Sequence, residues 1–318
     1  MMDARSTGLD RVRIIEVGAR RGLQSQVKAL DPIVRMNLVE LLEIAGLREV
    51  EVGAFISPRW VPQLADTAAV FTLLGGSQAN RIRSAMVPNL KGLEMAVTAG
   101  CRDITVSSAA AEPYCRANFN CSVAESMRRA DEISGYALGL GIQVRATLSA
   151  IVDCPFSGPV APTEVVRKVK HFHDMGCREI CLIDSTGTST PASIGELLRA
   201  CAAEVPMDVI ACHFHDTFGL GIANMVEALE HGVRAFDTAI SGLGGNTYYP
   251  GAAGSLATED VVYLLGELGI HTGVDMEGLL LAADYIDVVL ERRTESRVGR
   301  ALRARRKHRA SAPGNPQG

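Results

Sequence analysis

The segment TEVVRKVKHFHDMGCREICLIDSTG, residues 163–187, contains a helical pattern followed immediately by a strand pattern. Its first part, 163–176, is amphipathic and closes on Gly176, as helix C-termini commonly do. Its second part, EICLIDSTG at 179–187, is a short apolar run that predicts a buried strand. Helices alternating with buried strands are typical of α/β folds with a parallel sheet.

The same alternation occurs eight times along the chain. The runs that predict strands are 12–18, 49–55, 81–88, 102–108, 143–151, 179–187, 208–216 and 235–244. Eight strand–helix units in 318 residues favour an α/β fold of the (β/α)8 TIM barrel type, with an open doubly wound sheet as the alternative. Two further helices, near 258–267 and 276–292, would cap or flank the barrel.

These patterns predict three regions. We expect a flexible N-terminus over 1–10, the barrel with its C-terminal capping helices over 11–296, and a basic tail over 297–318 in which a frayed helix end leads to a disordered terminus. A solvated terminus is the simplest interpretation of that tail, and an acidic partner is the alternative.

The composition is that of a soluble globular protein, with 47% hydrophobic residues, 21% charged residues and a formal net charge of −4. This charge balance gives no electrostatic footprint for nucleic acid. No apolar run reaches the ~18–20 residues of a membrane span, and the N-terminus lacks a secretory signal, so we expect a cytoplasmic protein without a membrane partner. Eight scattered cysteines without a CxxC pair indicate reduced thiols rather than disulfides or zinc.

Polar residues terminate several of the predicted strands. In a barrel of this type the active site lies where the C-terminal ends of the strands converge, so these residues become candidates for one site. They are Glu16, Arg20 and Arg21 after the first strand, Glu51 on the second, Asp184 on the sixth, and His213, His215 and Asp216 on the seventh.

The tripeptide His213-Phe214-His215 is the strongest local indication of a functional site. On a strand, residues i and i+2 point to the same face, so the two imidazoles would project together and suit a metal. The identical tripeptide 171–173 lies in a helical pattern, where a two-residue step separates the side chains by about 200°. A structural histidine pair in the core is the alternative for 213 and 215.

The segment GLGGNTYYPGAAGS, residues 242–255, contains five glycines in fourteen residues. It is either a turn-rich connector or a mobile lid over the mouth of the barrel, and its position after the eighth strand favours the lid. It does not match a nucleotide phosphate-binding motif.

Several segments together resemble the 3-hydroxy-3-methylglutaryl-CoA lyase family. They are EVGARRGLQ (16–24), FISPRWVPQLAD (55–66), VPNLKGLEMAV (87–97), HFHDTFGLGIAN (213–224), GLGG (242–245) and GSLATEDVVYLLGELGIHTGV (254–274). The resemblance spans about residues 12–300, nearly the whole predicted barrel.

This resemblance implies a retro-Claisen cleavage of a 3-hydroxyacyl-CoA to acetyl-CoA and a ketoacid, assisted by Mg²⁺ or Mn²⁺. It also implies a homodimer. In the family the ion is held by an Asp after strand one, two histidines on strand seven and an Asn after the glycine-rich loop. The Arg beside the Asp stabilises the enolate, and a Cys in the loop transfers a proton.

Matched to this sequence, the family pattern is kept at some positions and changed at three. Arg20 matches the catalytic arginine, His213 and His215 match the histidine ligands, and Glu51, Asp184 and Glu259 match the acidic residues around the site. In place of the metal-binding Asp, the Asn ligand and the loop Cys, this chain has Arg21, Ser255 and Asn246.

With Arg21 in place of the metal-binding Asp, the pocket keeps the same formal charge without a metal ion. A divalent ion with one aspartate ligand carries one net positive charge, as does one guanidinium. An ion bound beside Arg21 would meet a like-charge repulsion on the order of several kcal/mol. The sequence therefore predicts a metal-poor pocket in which Arg21 reaches Glu51, Asp184, Glu259 or a carboxylate of the substrate, with Arg20, Ser255 and Glu259 as further substrate-binding residues.

Three functions fit these residues. The first is a carbon–carbon lyase acting on an acyl-CoA or small carboxylate. The second is a catalytically silent relative that binds an acyl thioester or a partner subunit. The third is a condensing enzyme that runs the related Claisen chemistry forward. Asn246 cannot act as an acid near neutral pH, so an enolate would collect its proton from water or another group.

Overall fold

The computed structural model describes residues 10–76, 80–245, 249 and 251–311. Eight parallel strands close into a barrel in which each strand pairs with its neighbours in sequence and the eighth pairs with the first. The strands are β1 Arg13–Glu16, β2 Glu49–Ala54, β3 Ile82–Met86, β4 Asp103–Ala109, β5 Gln143–Ser149, β6 Glu179–Asp184, β7 Ile210–Phe214 and β8 Ala235–Thr238. The predicted TIM barrel is confirmed, and the doubly wound alternative is wrong.

Eleven α-helices are present in the described residues. They are α1 Pro32–Ile44, α2 Thr67–Leu73, α3 Leu90–Thr98, α4 Glu112–Phe119, α5 Val123–Gly139, α6 Pro162–Asp174, α7 Pro191–Ala202, α8 Gly221–Glu230, α9 Thr258–Glu267, α10 Met276–Val289 and α11 Arg297–Ser311. Short 3₁₀ turns occupy Pro62–Leu64, Met207–Val209 and Ile240–Gly242, and a small hairpin pairs Asp153–Cys154 with Gly158–Pro159. Helices around the barrel bury the outer faces of the strands, so strands such as β2 and β6 are buried along their whole length.

The inside of the barrel combines a small apolar cluster with an ionic network. Ile15, Val17, Cys181, Ile183, Ala211 and Ala235 form that cluster, separate from the large core under the helices. Arg145 lies beside it and contacts Glu179 at 2.5 Å and Asp237 at 2.6 Å. Arg13 in turn pairs with both Glu179 and Glu49. Buried ions of this kind need mutual pairing, because an unpaired charge would lose its hydration without compensation.

The C-terminal segment is more regular than the sequence indicates. A frayed helix end leading to a disordered tail is expected over 297–318, whereas α11 is a regular helix from Arg297 to Ser311. Its first turn is capped, because the Asp260 carboxylate accepts hydrogen bonds from the Arg297 and Val298 amides at 3.1 and 2.8 Å. Further along, Arg303 pairs with Asp284 and Asp287 on α10. Residues 312–318, and all but the last residue of the flexible N-terminus expected over 1–10, lie outside the described residues.

In the described part of the chain, no helix is long and apolar enough to cross a membrane. All eight cysteines are free thiols, and all but Cys121 are buried.

Candidate active site

The two adjacent arginines lie on a tight turn directly after β1. Residues Gly18–Gly22, sequence GARRG, form a π-helical turn, a rare element that is frequent at functional sites. Its glycines are required by close packing, since a Cβ at Gly18 would lie 2.6 Å from the Glu16 carboxylate and one at Gly22 would lie 2.5 Å from Leu243. The turn therefore fixes Arg20 and Arg21 against the β1 and β8 ends of the barrel.

Both arginines approach the same carboxylate, that of Glu51 on β2. The Nε atoms of Arg20 and Arg21 lie 3.6 and 3.9 Å from Glu51 Oε2. These are ion-pair distances, and the two Nε atoms and both Glu51 oxygens are buried without a hydrogen-bond partner within the described ranges. Burial lowers the pKa of the Arg20 guanidinium to about 10, an effect that Glu51 opposes and Arg21 reinforces. Of the partners proposed for Arg21, the structure supports Glu51.

The histidine pair lies at the end of β7, with its rings tilted and their centroids 5.2 Å apart. His215 Nδ1 donates to the Ala253 carbonyl at 3.2 Å. Burial lowers the pKa of His215 to about 3, with further lowering by His213 and Arg21. Burial also lowers the pKa of His213, and Arg21 again acts in the same direction. Both imidazoles are therefore neutral, and the guanidinium of Arg21 is close enough to influence each of them.

Ser255 and Asp237 hold His213 from opposite sides. His213 Nδ1 lies 3.3 Å from Asp237 Oδ2, and Nε2 lies 3.0 Å from Ser255 Oγ. A carboxylate can only accept, so Nδ1 carries the proton and Nε2 accepts from the Ser255 hydroxyl. Burial alone would raise the pKa of the Asp237 carboxyl, but Arg145 and His213 hold that pKa below its ordinary range.

Asp237 and Arg145 are the site residues that the sequence analysis missed. Asp237 is buried on β8, where it accepts two contacts from Arg145 at 2.6 and 3.3 Å and one from the Cys181 thiol at 3.3 Å. The sequence feature that could have revealed these two residues is a single charge inside each of two apolar strand patterns, AFDTA and QVRAT. Charges in buried strands need partners, but nothing in the sequence pairs one strand with another.

Asp184 lies at the end of β6 and is occupied with the loop that follows it. Its carboxylate accepts from the Gly187 and Ser189 amides at 2.9 and 3.2 Å and from the Thr186 hydroxyl at 3.3 Å. Burial raises its pKa. Within the described part of the chain, these hydrogen bonds join Asp184 to this loop, and it makes none to Arg20 or Arg21.

Glu259 and Glu16 support the turn after β8. Both Glu259 oxygens accept from the Ser241 amide, at 3.2 and 3.0 Å, and burial raises the pKa of this carboxyl to about 8. Glu16 accepts from the Gly18 and Ile240 amides at 2.7 and 2.9 Å, and burial raises its pKa to about 7. Glu259 therefore lies behind the site, while Glu16 ties the arginine turn to the end of β8.

Six of the candidate residues thus meet at the C-terminal mouth of the barrel: Arg20, Arg21, Glu51, His213, His215 and Ser255. Asn246 lies outside the described residues. Within the described ranges, no group of three or more His, Cys, Asp or Glu side chains is arranged to hold a metal ion. Arg21 occupies the position where the sequence resemblance expects an acidic ligand.

The comparisons with known proteins agree with this architecture. The family model described as HMGL-like matches residues 11–286. The hydroxymethylglutaryl-CoA lyase of Pseudomonas mevalonii is 43% identical over 92% of this chain and 97% of its own. The crystal structure of the hydroxymethylglutaryl-CoA lyase from Pseudomonas aeruginosa superimposes with a TM-score of 0.90 at 40% identity, covering 93% of this chain and 99% of its own.

A third relative carries ligands. The structure of an HMG-CoA lyase from Acinetobacter baumannii in complex with coenzyme A and 3-methylmalate matches with a TM-score of 0.89 at 30% identity, covering 99% of this chain and 100% of that one. The family model, the sequence identity and the barrel agree over most of the chain. The chain belongs to the HMGL-like family.

Proposed function

We propose that this chain is a carbon–carbon lyase that cleaves a 3-hydroxyacyl-CoA into acetyl-CoA and a ketoacid without a divalent cation. The identity to hydroxymethylglutaryl-CoA lyases over nearly the whole barrel supports the reaction class. The relative that binds coenzyme A supports an acyl-CoA substrate. Family resemblance further supports a homodimer, and the composition of the chain supports a cytoplasmic location.

One observation carries the proposal: two guanidiniums share one carboxylate at the mouth of the barrel, beside two neutral imidazoles. Arg20 and Arg21 both lie within 3.9 Å of Glu51 Oε2. Glu51 balances one of the two positive charges and leaves one in excess. Cleavage of the bond between C2 and C3 develops negative charge on the thioester enolate, and a fixed cation in a buried site stabilises that charge strongly.

The donor set does not fit the divalent ion that the family implies. Two neutral imidazoles and the Ser255 hydroxyl supply no charged oxygen ligand, whereas Mg²⁺ and Mn²⁺ prefer carboxylate, carbonyl and water oxygens. One of the imidazole lone pairs, His213 Nε2, already accepts from Ser255 Oγ at 3.0 Å. The Arg21 guanidinium, which lowers the pKa of both imidazoles, would also repel an ion placed between them.

His213 is the proposed base for the substrate hydroxyl. Its Nδ1 proton is engaged by Asp237 at 3.3 Å, so Nε2 takes the proton of the 3-hydroxyl group once that hydroxyl displaces Ser255 Oγ, which lies 3.0 Å from Nε2. As that proton leaves, the carbonyl of the ketoacid forms and the C2–C3 bond breaks. Arg20 and Arg21 then stabilise the enolate, which takes up a proton from water to become the acetyl group of acetyl-CoA, while the His213 imidazolium releases the hydroxyl proton to the resulting hydroxide.

The remaining candidates have supporting parts in this proposal. Arg21 is also placed to receive the distal carboxylate of a substrate, because its side chain is 20% exposed while that of Arg20 is 8% exposed. Ser255 and Asn246 would contact the substrate from the glycine-rich segment. Asp184 and Glu259 would shape the loops around the site, as their hydrogen bonds to loop amides suggest.

Acetyl-CoA release from 3-hydroxy-3-methylglutaryl-CoA tests the proposal, measured in EDTA and again with added Mn²⁺. We expect turnover that is the same in both conditions. Arg20→Gln should lower kcat by about 10²–10³-fold, the usual cost of removing one donor that stabilises transition-state charge. Arg116→Gln is the matched control, since Arg116 forms an exposed pair with Glu112 on α4.

Two results would contradict the proposal in different ways. Turnover that appears only with Mn²⁺ would retain the lyase and overturn the metal-free mechanism. No turnover, together with thermal stabilisation by the acyl-CoA, would identify a binding protein instead of an enzyme.

A further inference from the structure

Ser255, His213 and Asp237 form a hydroxyl–imidazole–carboxylate chain. Ser255 Oγ lies 3.0 Å from His213 Nε2, and His213 Nδ1 lies 3.3 Å from Asp237 Oδ2. A nucleophile within reach of a base, and a base oriented by a carboxylate, are the geometric requirements for covalent catalysis. We propose that this triad gives the protein a second activity, the hydrolysis of acyl-CoA thioesters with Ser255 as the nucleophile.

Each member of the triad is held in place by the fold. Ser255 lies in an antiparallel bridge opposite His215, with the Leu256 amide donating to the Phe214 carbonyl at 3.0 Å and the Asp216 amide to the Gly254 carbonyl at 3.2 Å. His213 is in β7 and fully buried. The Asp237 carboxylate is fixed by Arg145 at 2.6 Å. Such fixed geometry is what positions a nucleophile for attack.

The protonation states match the roles. Asp237 remains ionised beside Arg145 and accepts from Nδ1–H, so the neutral imidazole presents its Nε2 lone pair to the serine hydroxyl. In relatives of this family the resemblance expects an Asn at position 255, and an amide has no hydroxyl to serve as a nucleophile.

The arginine turn supplies stabilisation for the oxyanion. The Nε atoms of Arg20 and Arg21 are buried and donate no hydrogen bond in the part of the chain that the structure describes, although they lie at ion-pair distances of 3.6 and 3.9 Å from Glu51 Oε2. N–H donors that make no hydrogen bond to the protein can turn to a developing oxyanion, whose stabilisation is commonly the largest single term in acyl transfer.

The reaction balances in two steps. Ser255 Oγ attacks the thioester carbonyl while its proton passes to His213 Nε2, the carbon–sulfur bond breaks, and the imidazolium returns that proton to the CoA thiolate. Water then attacks the acyl-serine and gives one proton to His213, which passes it to Ser255 Oγ as the ester bond breaks. The products are a free carboxylic acid and CoA.

The substrate decides which activity is used. A 3-hydroxyl group placed at His213 Nε2 would compete with Ser255 for the base and direct the enzyme to carbon–carbon cleavage. An acyl-CoA that lacks the 3-hydroxyl group cannot undergo that cleavage, so only hydrolysis remains. This second activity therefore goes beyond the proposed lyase and does not depend on it.

The full-length protein incubated with 3-methylglutaryl-CoA provides the test, with released CoA thiol and free 3-methylglutarate both quantified. We expect thiol release above the uncatalysed rate, a fall of at least about a hundredfold in Ser255→Ala, and no change in Ser107→Ala. Ser107 is a suitable control because its hydroxyl pairs with that of Thr147 at 2.8 Å and contacts no imidazole. Melting temperatures of both variants check that they are folded.

Covalent labelling gives an independent readout. A fluorophosphonate should modify Ser255 in the wild-type protein, located by peptide mass spectrometry, and should fail to modify that peptide in folded His213→Gln. Wild-type protein that neither releases thiol from 3-methylglutaryl-CoA nor is labelled at Ser255 would overturn the proposal. Acetyl-CoA release from the 3-hydroxy substrate is measured separately, so failure of the hydrolase and failure of the lyase are distinguishable.

Discussion

Replacing Asp237 by Asn tests the ionic network that joins the barrel interior to the site. The substitution removes the carboxylate that binds Arg145 at 2.6 and 3.3 Å and His213 at 3.3 Å. Among the described residues, Arg145 would keep Glu179, at 2.5 Å, as its ionic partner. Removing one partner from a buried ion pair costs about 3–5 kcal/mol, because the other charge is left without compensation.

That loss translates into a measurable fall in melting temperature. At about 2–4 °C per kcal/mol for domains of 150–250 residues, and less for a larger chain, we expect a decrease of about 5–10 °C. Activity should fall further than stability alone explains, because the Asn amide would donate to Nδ1 and hold the imidazole in the wrong tautomer. A comparable exchange in a serine protease lowers kcat by about 10⁴-fold.

The assay combines thermal unfolding with turnover at a temperature where the variant is folded. Asp174→Asn is the matched control, since Asp174 forms an exposed pair with Lys170 at 2.9 Å and such pairs contribute about 0–1 kcal/mol. If Asp237→Asn melts and turns over like Asp174→Asn, the network neither stabilises the barrel nor orients His213, and the reasoning is refuted.

Two further predictions concern the changed ligand positions and the buried carboxyls. Restoring the family residues, with Arg21→Asp, Ser255→Asn and Asn246→Cys, should produce Mn²⁺-dependent acetyl-CoA release, and a variant that neither binds Mn²⁺ nor turns over would show that these positions are wrongly matched. Stability should also depend on pH, because burial raises the pKa of Glu16 to about 7 and of Glu259 to about 8 in the folded state, above the ordinary carboxyl value. The stabilisation from their protonated forms is complete below about pH 4.5 and is lost as the pH rises through those folded pKa values, so the melting temperature should fall between about pH 5 and 8. Glu16→Gln and Glu259→Gln should each flatten that decline, and an unchanged slope in both variants would contradict the assigned cause.

The barrel was predictable because its signal is local and repeated. Each strand is a short apolar run followed by an amphipathic helix, and eight such units leave few other topologies. The histidine pair was predictable for the same reason, since alternation along one strand places positions 213 and 215 on one face.

The ionic contacts that hold the site residues in place were not predictable from local sequence patterns. Arg145, Glu179, His213 and Asp237 come from four different strands, and their pairing depends on how the barrel closes. The sequence indicates a frayed helix end in 297–311 but not a helix of this length, because the composition of the segment is strongly basic. Its stabilisation comes from Asp260, Asp284 and Asp287, which lie on two other helices.

The central claim is that the guanidinium of Arg21 takes the place of a divalent ion. Titration of the purified wild-type protein with Mn²⁺, followed by calorimetry alongside the Arg21→Asp, Ser255→Asn double variant, tests it most directly. We predict no stoichiometric binding to the wild-type protein and one ion per chain in the double variant. One tightly bound ion per wild-type chain, lost on replacing His213 and His215 with Ala, would contradict the account.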